Sequence, residues 1–156
     1  MRRVLQGLLL ILAVSVAAEE PVARGPERAE PPFAIYVFTA AGSDAKNVTE
    51  KWQKNLIKAA ARVRDAVGTE RNWLKAVDDK QRAELILEVT DIGYRKGRPG
   101  AKEQHLLEGK LIVFGADPLP AKGHAESERA VPADLIKGVA RFCKANYAEL
   151  TSKRQK

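Results

Sequence analysis

The chain of 156 residues has one cysteine, Cys143, two histidines, His105 and His124, and few aromatics, 6% of the total. A single thiol cannot close an intrachain disulfide, so stability has to come from apolar burial. Sparse aromatics leave few stacking platforms for single-stranded nucleic acid, and no groove-reading motif accompanies them, so no specific nucleic acid is expected as a partner. His105 opens an expected strand and His124 falls in an expected loop. Their spacing matches no zinc-ligand pattern, and no metal site is expected. The glycine-rich stretch from Gly93 to Lys102 leads into a strand, whereas a phosphate-cradling P-loop must end in Gly-Lys-Ser/Thr and open a helix; no nucleotide cofactor is expected. Nor does any internal repeat at solenoid periods occur.

The length suits one domain, since compact domains run to roughly 100–200 residues. Apolar residues at 45% and charged residues at 30% match ordinary globular composition. Met1-Arg2-Arg3 is a short basic start, an apolar run follows from Val4 to Val16, and Ser15-Val16-Ala17-Ala18 supplies small residues before Glu19. That order is expected of a secretory signal peptide over residues 1–18. The alternative, an uncleaved anchor, needs about 20 apolar residues, and this run is shorter. Cleavage near Ala18 leads to a periplasmic or secreted protein without a transmembrane span. Net charge is +7, from 27 basic and 20 acidic residues. Without Arg2 and Arg3 the balance is 25 against 20, or +5, a weak attraction to anionic surfaces.

Residues 19–32 contain Pro21, Pro26, Pro31, Pro32 and Gly25 among charges and read as an extended tether. One α/β domain is then expected over residues 33–150, in the order β-α-β-β-β-α. Its first strand, Phe33 to Thr39, is nearly all apolar or β-branched, the pattern of an interior strand covered on both faces. Ser43 or Asp44 is placed to cap a helix that runs to Val67 and stops at Gly68. Val48, Trp52, Leu56, Ala59, Ala60, Val63, Ala66 and Val67 share one face of it, and Lys51, Lys54, Lys58 and Arg62 the other. A second strand follows over Asn72 to Val77, parallel to the first, and Asp78 to Ala83 is a polar link with room for one helical turn. A third strand, Leu85 to Ile92, and a fourth, about Leu106 to Phe114, make a hairpin with a long basic tip. Gly115 to Ala130, with Pro118, Pro120 and Gly123, reads as a loop. Val131-Pro132 starts a last helix whose apolar stripe includes Leu135, Ile136, Val139, Phe142, Cys143, Tyr147 and Leu150. The polar tail 151–156 is expected to fray. The expected architecture is a mixed sheet of about four strands covered by two long amphipathic helices.

Within this order, Leu74-Lys-Ala-Val-Asp78 followed by Ala83-Glu-Leu-Ile-Leu-Glu-Val89 resembles a pattern in bacterial envelope proteins, the amino-terminal domain of TolB and the related curli-secretion and lipoprotein-like modules. The helix from Ala133 to Asn146 is similar to the last helix of exported proteins of that type. The resemblance spans roughly Phe33 to Leu150 and implies a non-enzymatic envelope module that works through protein contacts. The chain departs from the pattern at Glu84, where an aspartate would stand, and in its basic hairpin tip. The shared positions are structural, so the resemblance carries over no functional residue.

Three groups of residues remain as candidates. Arg95, Lys96, Arg98 and Lys102 at the hairpin tip can meet phosphate, sulfate or carboxylate groups, with Tyr94 packed nearby. Lys51, Lys54, Lys58 and Arg62 form a second basic group, which reads as a solvated helix face. Asp78, Asp79 and Glu84, with one histidine, are the carboxylates that a small periplasmic hydrolase or metal-dependent enzyme would use, although aspartates are equally at home in a strand-ending turn. Cys143 sits within an apolar stripe and reads as a buried thiol. The leading expectation is an exported interaction module that binds a protein or an anionic envelope component, with no catalytic residue and no cofactor.

Overall fold

The structure, a computed structural model, describes residues 32–39, 49–95 and 102–155. The expected signal segment, nearly all of the tether, the cap candidates Ser43 and Asp44, Val48, and the tip residues Lys96 and Arg98 lie outside them. Among the described residues, five strands form one sheet in the order β2-β1-β3-β4-β5: β1 Phe33–Phe38, β2 Leu74–Ala76, β3 Leu85–Arg95, β4 Gln104–Val113 and β5 Leu119–Ala125. Three α-helices accompany it, α1 Glu50–Ala66, α2 Val131–Ala145 and α3 Tyr147–Arg154. The α/β class and mixed sheet agree with the sequence. The expected count of about four strands and two long helices is corrected to five and three.

β1 pairs in parallel with β2 through its first half and with β3 through its second, with Ile35 opposite both Ala76 and Leu85. The link from β2 to β3 therefore crosses β1 near its middle. It contains a 3-10 turn, Lys80–Arg82, whose N-cap Asp79 accepts a hydrogen bond from the Gln81 amide at 2.8 Å. Helix α1 packs on β1 and β3, and α2 on β4 and β5, so both lie on one sheet face. On that face Phe33, Ile35, Leu85, Leu87, Val89, Leu107 and Leu111 meet Leu56, Val63, Leu135, Ile136 and Val139, all buried. Burial of each such side chain contributes roughly 1.5–3 kcal/mol. The opposite face of β1 and β3 carries Tyr36, Phe38 and Ile86, half-buried. Covering on both faces, expected from the apolar run of β1, is thus not seen among the described elements. Tyr36 and Phe38 stack on each other at 5.8 Å, and Lys80 of the crossing link sits over the Phe38 ring.

Local chemistry moves several expected boundaries. Within the described residues α1 starts at Glu50, with Thr49 as its N-cap. It does not stop on a left-handed Gly68. The chain runs on into a 3-10 turn, Val67–Glu70, which keeps Val67 buried, and the Thr69 hydroxyl donates to the Ala66 carbonyl at 2.7 Å. Strand β2 is shorter than expected because Trp73 belongs to the preceding turn, its amide donating to the Glu70 carbonyl. The helix expected up to Leu150 breaks at Asn146, which caps α2 by donating from both its backbone amide and its side-chain amide to the Phe142 carbonyl. The tail then forms α3, which buries Leu150 and brings Tyr147 edge-on to Phe33 and Trp73.

Strand β5 lies where the sequence reads as a loop. It pairs antiparallel with β4 and forms the edge of the sheet, reached by a tight turn in which Phe114 and Gly115 both have positive φ. An edge strand tolerates Pro120, since the missing N–H can point away from its neighbour. On its helix face stand Ala121, Gly123 and Ala125, too small to register as an apolar alternation. That smallness lets α2 come close. A Cβ on Gly123 would lie 2.8 Å from the Val131 carbonyl oxygen and 2.9 Å from both the amide nitrogen and Cβ of Leu135. Asp134 in the first turn of α2 accepts the outward amide of His124 at 3.0 Å, which satisfies part of the open edge.

Two glycine substitutions should move stability in opposite directions. Gly123→Ala forces α2 off the sheet and is expected to lower stability by about 1–3 kcal/mol. Gly138→Ala, in the same helix with nothing within 4 Å of the added methyl, should raise it by roughly 0.5–1 kcal/mol. Urea unfolding midpoints of the two variants check both, and a neutral Gly123→Ala would contradict the close seating of α2.

Candidate functional site

The alternation of β3 changes phase partway along. Leu85, Leu87 and Val89 face the helices, and strict alternation would send Asp91, Gly93 and Arg95 after them. A bulge intervenes: Val89 pairs with Gly109 and Asp91 with Glu108, which leaves Thr90 as the extra residue. Beyond it Ile92 and Tyr94 take over the helix face, opposite Leu107 and His105. Gly109 is what permits the close approach there, because a Cβ at that position would lie 2.6 Å from the Glu88 carbonyl oxygen.

The distal half of this hairpin, the first turns of α1 and the start of α2 then enclose a groove of about 450 Å³. That volume falls within the usual range for ligand sites, which combine an apolar lining with a few placed polar groups. Its apolar lining includes Ile92, Leu107, Ala59, Val131 and Pro132, with Trp52, Tyr94 and His105 as its aromatic members. Tyr94 is 68% exposed and stands 4.7 Å, centroid to centroid, from the His105 ring. Polar members are Asn55, Lys58, Arg62 and Glu128. Arg62 and Glu128 pair at 2.6 Å, which links α1 to the residues just before α2, and both remain largely exposed. Lys58 has no carboxylate partner among the described residues.

The structure divides the tip residues. Arg95 is exposed at the end of β3 and Lys102 precedes β4; neither lines the groove. Lys102 donates to Glu126 at 2.7 Å, and that hydrogen bond with the attendant attraction holds its pKa above the ordinary lysine value. From the α1 stripe, Lys58 and Arg62 do line the groove. All four residues of the stripe are exposed, as a solvated face requires; the groove beside two of them exists only once the hairpin is folded over α1. The one signal in the sequence is the switch of apolar positions in β3 from odd to even residues at Thr90.

The carboxylates are not brought together with a histidine. Asp78 pairs with Arg64 and Asp79 caps the 3-10 turn, both beside the middle of β1. His105 faces Tyr94, nine steps along β3 from Leu85 and so roughly 30 Å away at about 3.3 Å per residue. His124 is exposed on the edge strand β5. Among the described residues no group of three or more His, Cys, Asp or Glu is placed to hold a metal ion. Cys143 is fully buried.

Glu84 has a structural role. It stands just before β3, accepts the Ala34 amide at 2.7 Å and takes a two-pronged hydrogen bond from Arg154 of α3, whose Nη2 lies 2.8 Å from Oε2. Arg154 also sits over the Phe33 ring and donates to the Pro32 carbonyl. The pair ties the last turn of α3 to the beginnings of β1 and β3. Burial pushes the Glu84 pKa up, but the hydrogen bonds from Arg154 and Ala34, with the attraction to Arg154, outweigh it and hold the carboxyl below its ordinary value.

No family model matches the chain, and no curated protein matches it in sequence. Among solved structures it is similar to a dodecameric PelC variant from Paraburkholderia phytofirmans, with 11% identity, 70% of this chain and 85% of that chain covered, and a TM-score of 0.37. It is also similar to a hypothetical protein from Chlamydia trachomatis, with 6% identity, 78% and 96% covered, and a TM-score of 0.35. Likenesses at this level establish neither kinship nor activity. Among the described residues, no helix is long and apolar enough to cross a membrane.

A carboxylate whose folded pKa is depressed stabilises the fold above its unfolded value, about 4.3 for glutamate. That contribution is lost as pH falls through the lower folded value. Glu84→Gln should therefore lower stability at pH 7 by roughly 1–3 kcal/mol, from the loss of charged hydrogen bonds. It should also flatten the fall in urea midpoint below about pH 4. A variant with the parent's midpoint and pH profile would mean that α3 is not fastened in this way.

Proposed function

We propose that this chain is an exported interaction module that uses the groove between α1, the distal β3–β4 hairpin and the start of α2 to bind a partner bearing negative charge beside an apolar group. Export rests on the basic, apolar and small-residue order of residues 1–18. Binding rests on one observation: Lys58 and Arg62 of the helix and Tyr94 of the hairpin, far apart in sequence, border the same concave apolar surface. The apolar lining provides burial. Lys58, in no ion pair among the described residues, provides attraction, and Tyr94 has its ring open to stacking. The partner is a protein segment or an anionic envelope component, in line with the module type that the sequence resembles.

A copolymer of glutamate and tyrosine, immobilised, is a suitable probe because it combines the two features. Retention of the purified protein should weaken with salt, since exposed charges are screened over about 10 Å at 0.1 M. The double variant Lys58→Gln/Tyr94→Ala should lose about tenfold in affinity, equivalent to ~1.4 kcal/mol. Equal retention of parent and variant would rule out this groove as the binding surface.

A further inference from the structure

A second cleft lies at the other end of α2 and makes no use of the groove. Lys137, Arg141 and Lys144 recur at intervals of four and three residues and so form one stripe. All three are exposed. Between them Ala140 is buried and presents only a methyl, and the stripe borders a cleft of about 250 Å³ lined by Glu70, Trp73, Lys137, Ala140, Arg141 and Lys144. That space is on the order of eight water volumes at about 30 Å³ each, enough for a phosphate group with part of its hydration shell.

Other cations among the described residues, Lys51, Lys58 and Lys75 for example, also have no ion pair; what singles this cluster out is that three such cations border one cleft. Lys54, Arg62, Lys102, Lys122 and Lys153 each have a carboxylate within ion-pair distance. The three cations of the cleft have none among the described residues, although Glu70 lines the same space. Like charges four residues apart on a helix destabilise it, and a bound anion removes that cost for Lys137, Arg141 and Lys144 together. We propose that this cleft is a binding site for a phosphate-type oxyanion. Arg141 supplies the planar fork that matches two oxygens, and Lys137 and Lys144 flank it as compact positive charges. Trp73 and Ala140 form the less polar wall that shields these contacts from water. The oxyanion is either free phosphate or the phosphate of a lipid headgroup, and two arms of one experiment separate them.

In the first arm, the thermal midpoint of the purified protein is followed against sodium phosphate and against sodium chloride at equal ionic strength. In the second, the protein is sedimented with phosphatidylcholine vesicles, with and without phosphatidylglycerol. A ligand of the folded state raises the midpoint with its concentration. Lys137→Gln/Arg141→Gln/Lys144→Gln should weaken the response by at least about tenfold, whereas the charge-matched control Lys51→Gln/Lys75→Gln/Lys110→Gln keeps it. A phosphate-specific shift lost in the cleft variant assigns free phosphate. Vesicle binding lost in that variant, with no shift in phosphate, assigns the headgroup. No response in either arm, or responses that survive in the cleft variant or fail equally in the control, would overturn the site.

Discussion

The groove of this domain depends on one extra residue in a strand. Thr90 is accommodated as a bulge opposite Gly109, and from that point the sides of β3 are exchanged. Without the exchange, Asp91 and Arg95 would face the helices, and the distal half of β3 would lay no large apolar side chain against α1. With it, Ile92 packs on the core and Tyr94 reaches the mouth of the groove. Bulges are common where a strand must re-aim a side chain, and this one converts the end of a hairpin into the wall of the groove.

The second requirement is a short distance between α2 and β5, and it explains what the sequence conceals. Apolar periodicity marks an element only when its buried side is made of large side chains. Leu56 and Val63 in α1, Leu135, Ile136 and Val139 in α2, and Leu85, Leu87 and Val89 in β3 all satisfy that condition, and these elements are legible. Strand β5 buries Ala121 and Gly123 instead, because the helix backbone occupies the space that larger side chains would take. Its Pro120 and Gly123 then imitate a loop. The last turn of α3 is hidden for a different reason. What holds it is the Glu84–Arg154 pair, an interaction between residues far apart in sequence that no local pattern announces.

The same distinction applies to charge. Read along the chain, the carboxylates Asp78, Asp79 and Glu84 form a cluster suited to acid–base chemistry. Folding separates their roles into an ion pair with Arg64, a turn cap and the fastening of α3. The basic residues behave in the opposite way. Lys58 and Arg62 look like ordinary solvated positions until the hairpin arrives beside them, while Lys102, which belongs to the conspicuous basic tip, is already engaged by Glu126. Spacing in the sequence reports which residues share a face. Which faces come to share a space is decided by register, and here by the bulge.

The exchange of faces at Thr90 is open to direct measurement by the thiol reactivity of single cysteine substitutions, because the fully buried Cys143 supplies little background. Asp91→Cys should be alkylated rapidly in the folded protein and Ile92→Cys slowly, since residue 91 is exposed and residue 92 packs against the core. The reverse order, a protected residue 91 and a reactive residue 92, would mean that β3 continues its original alternation and that the groove does not form.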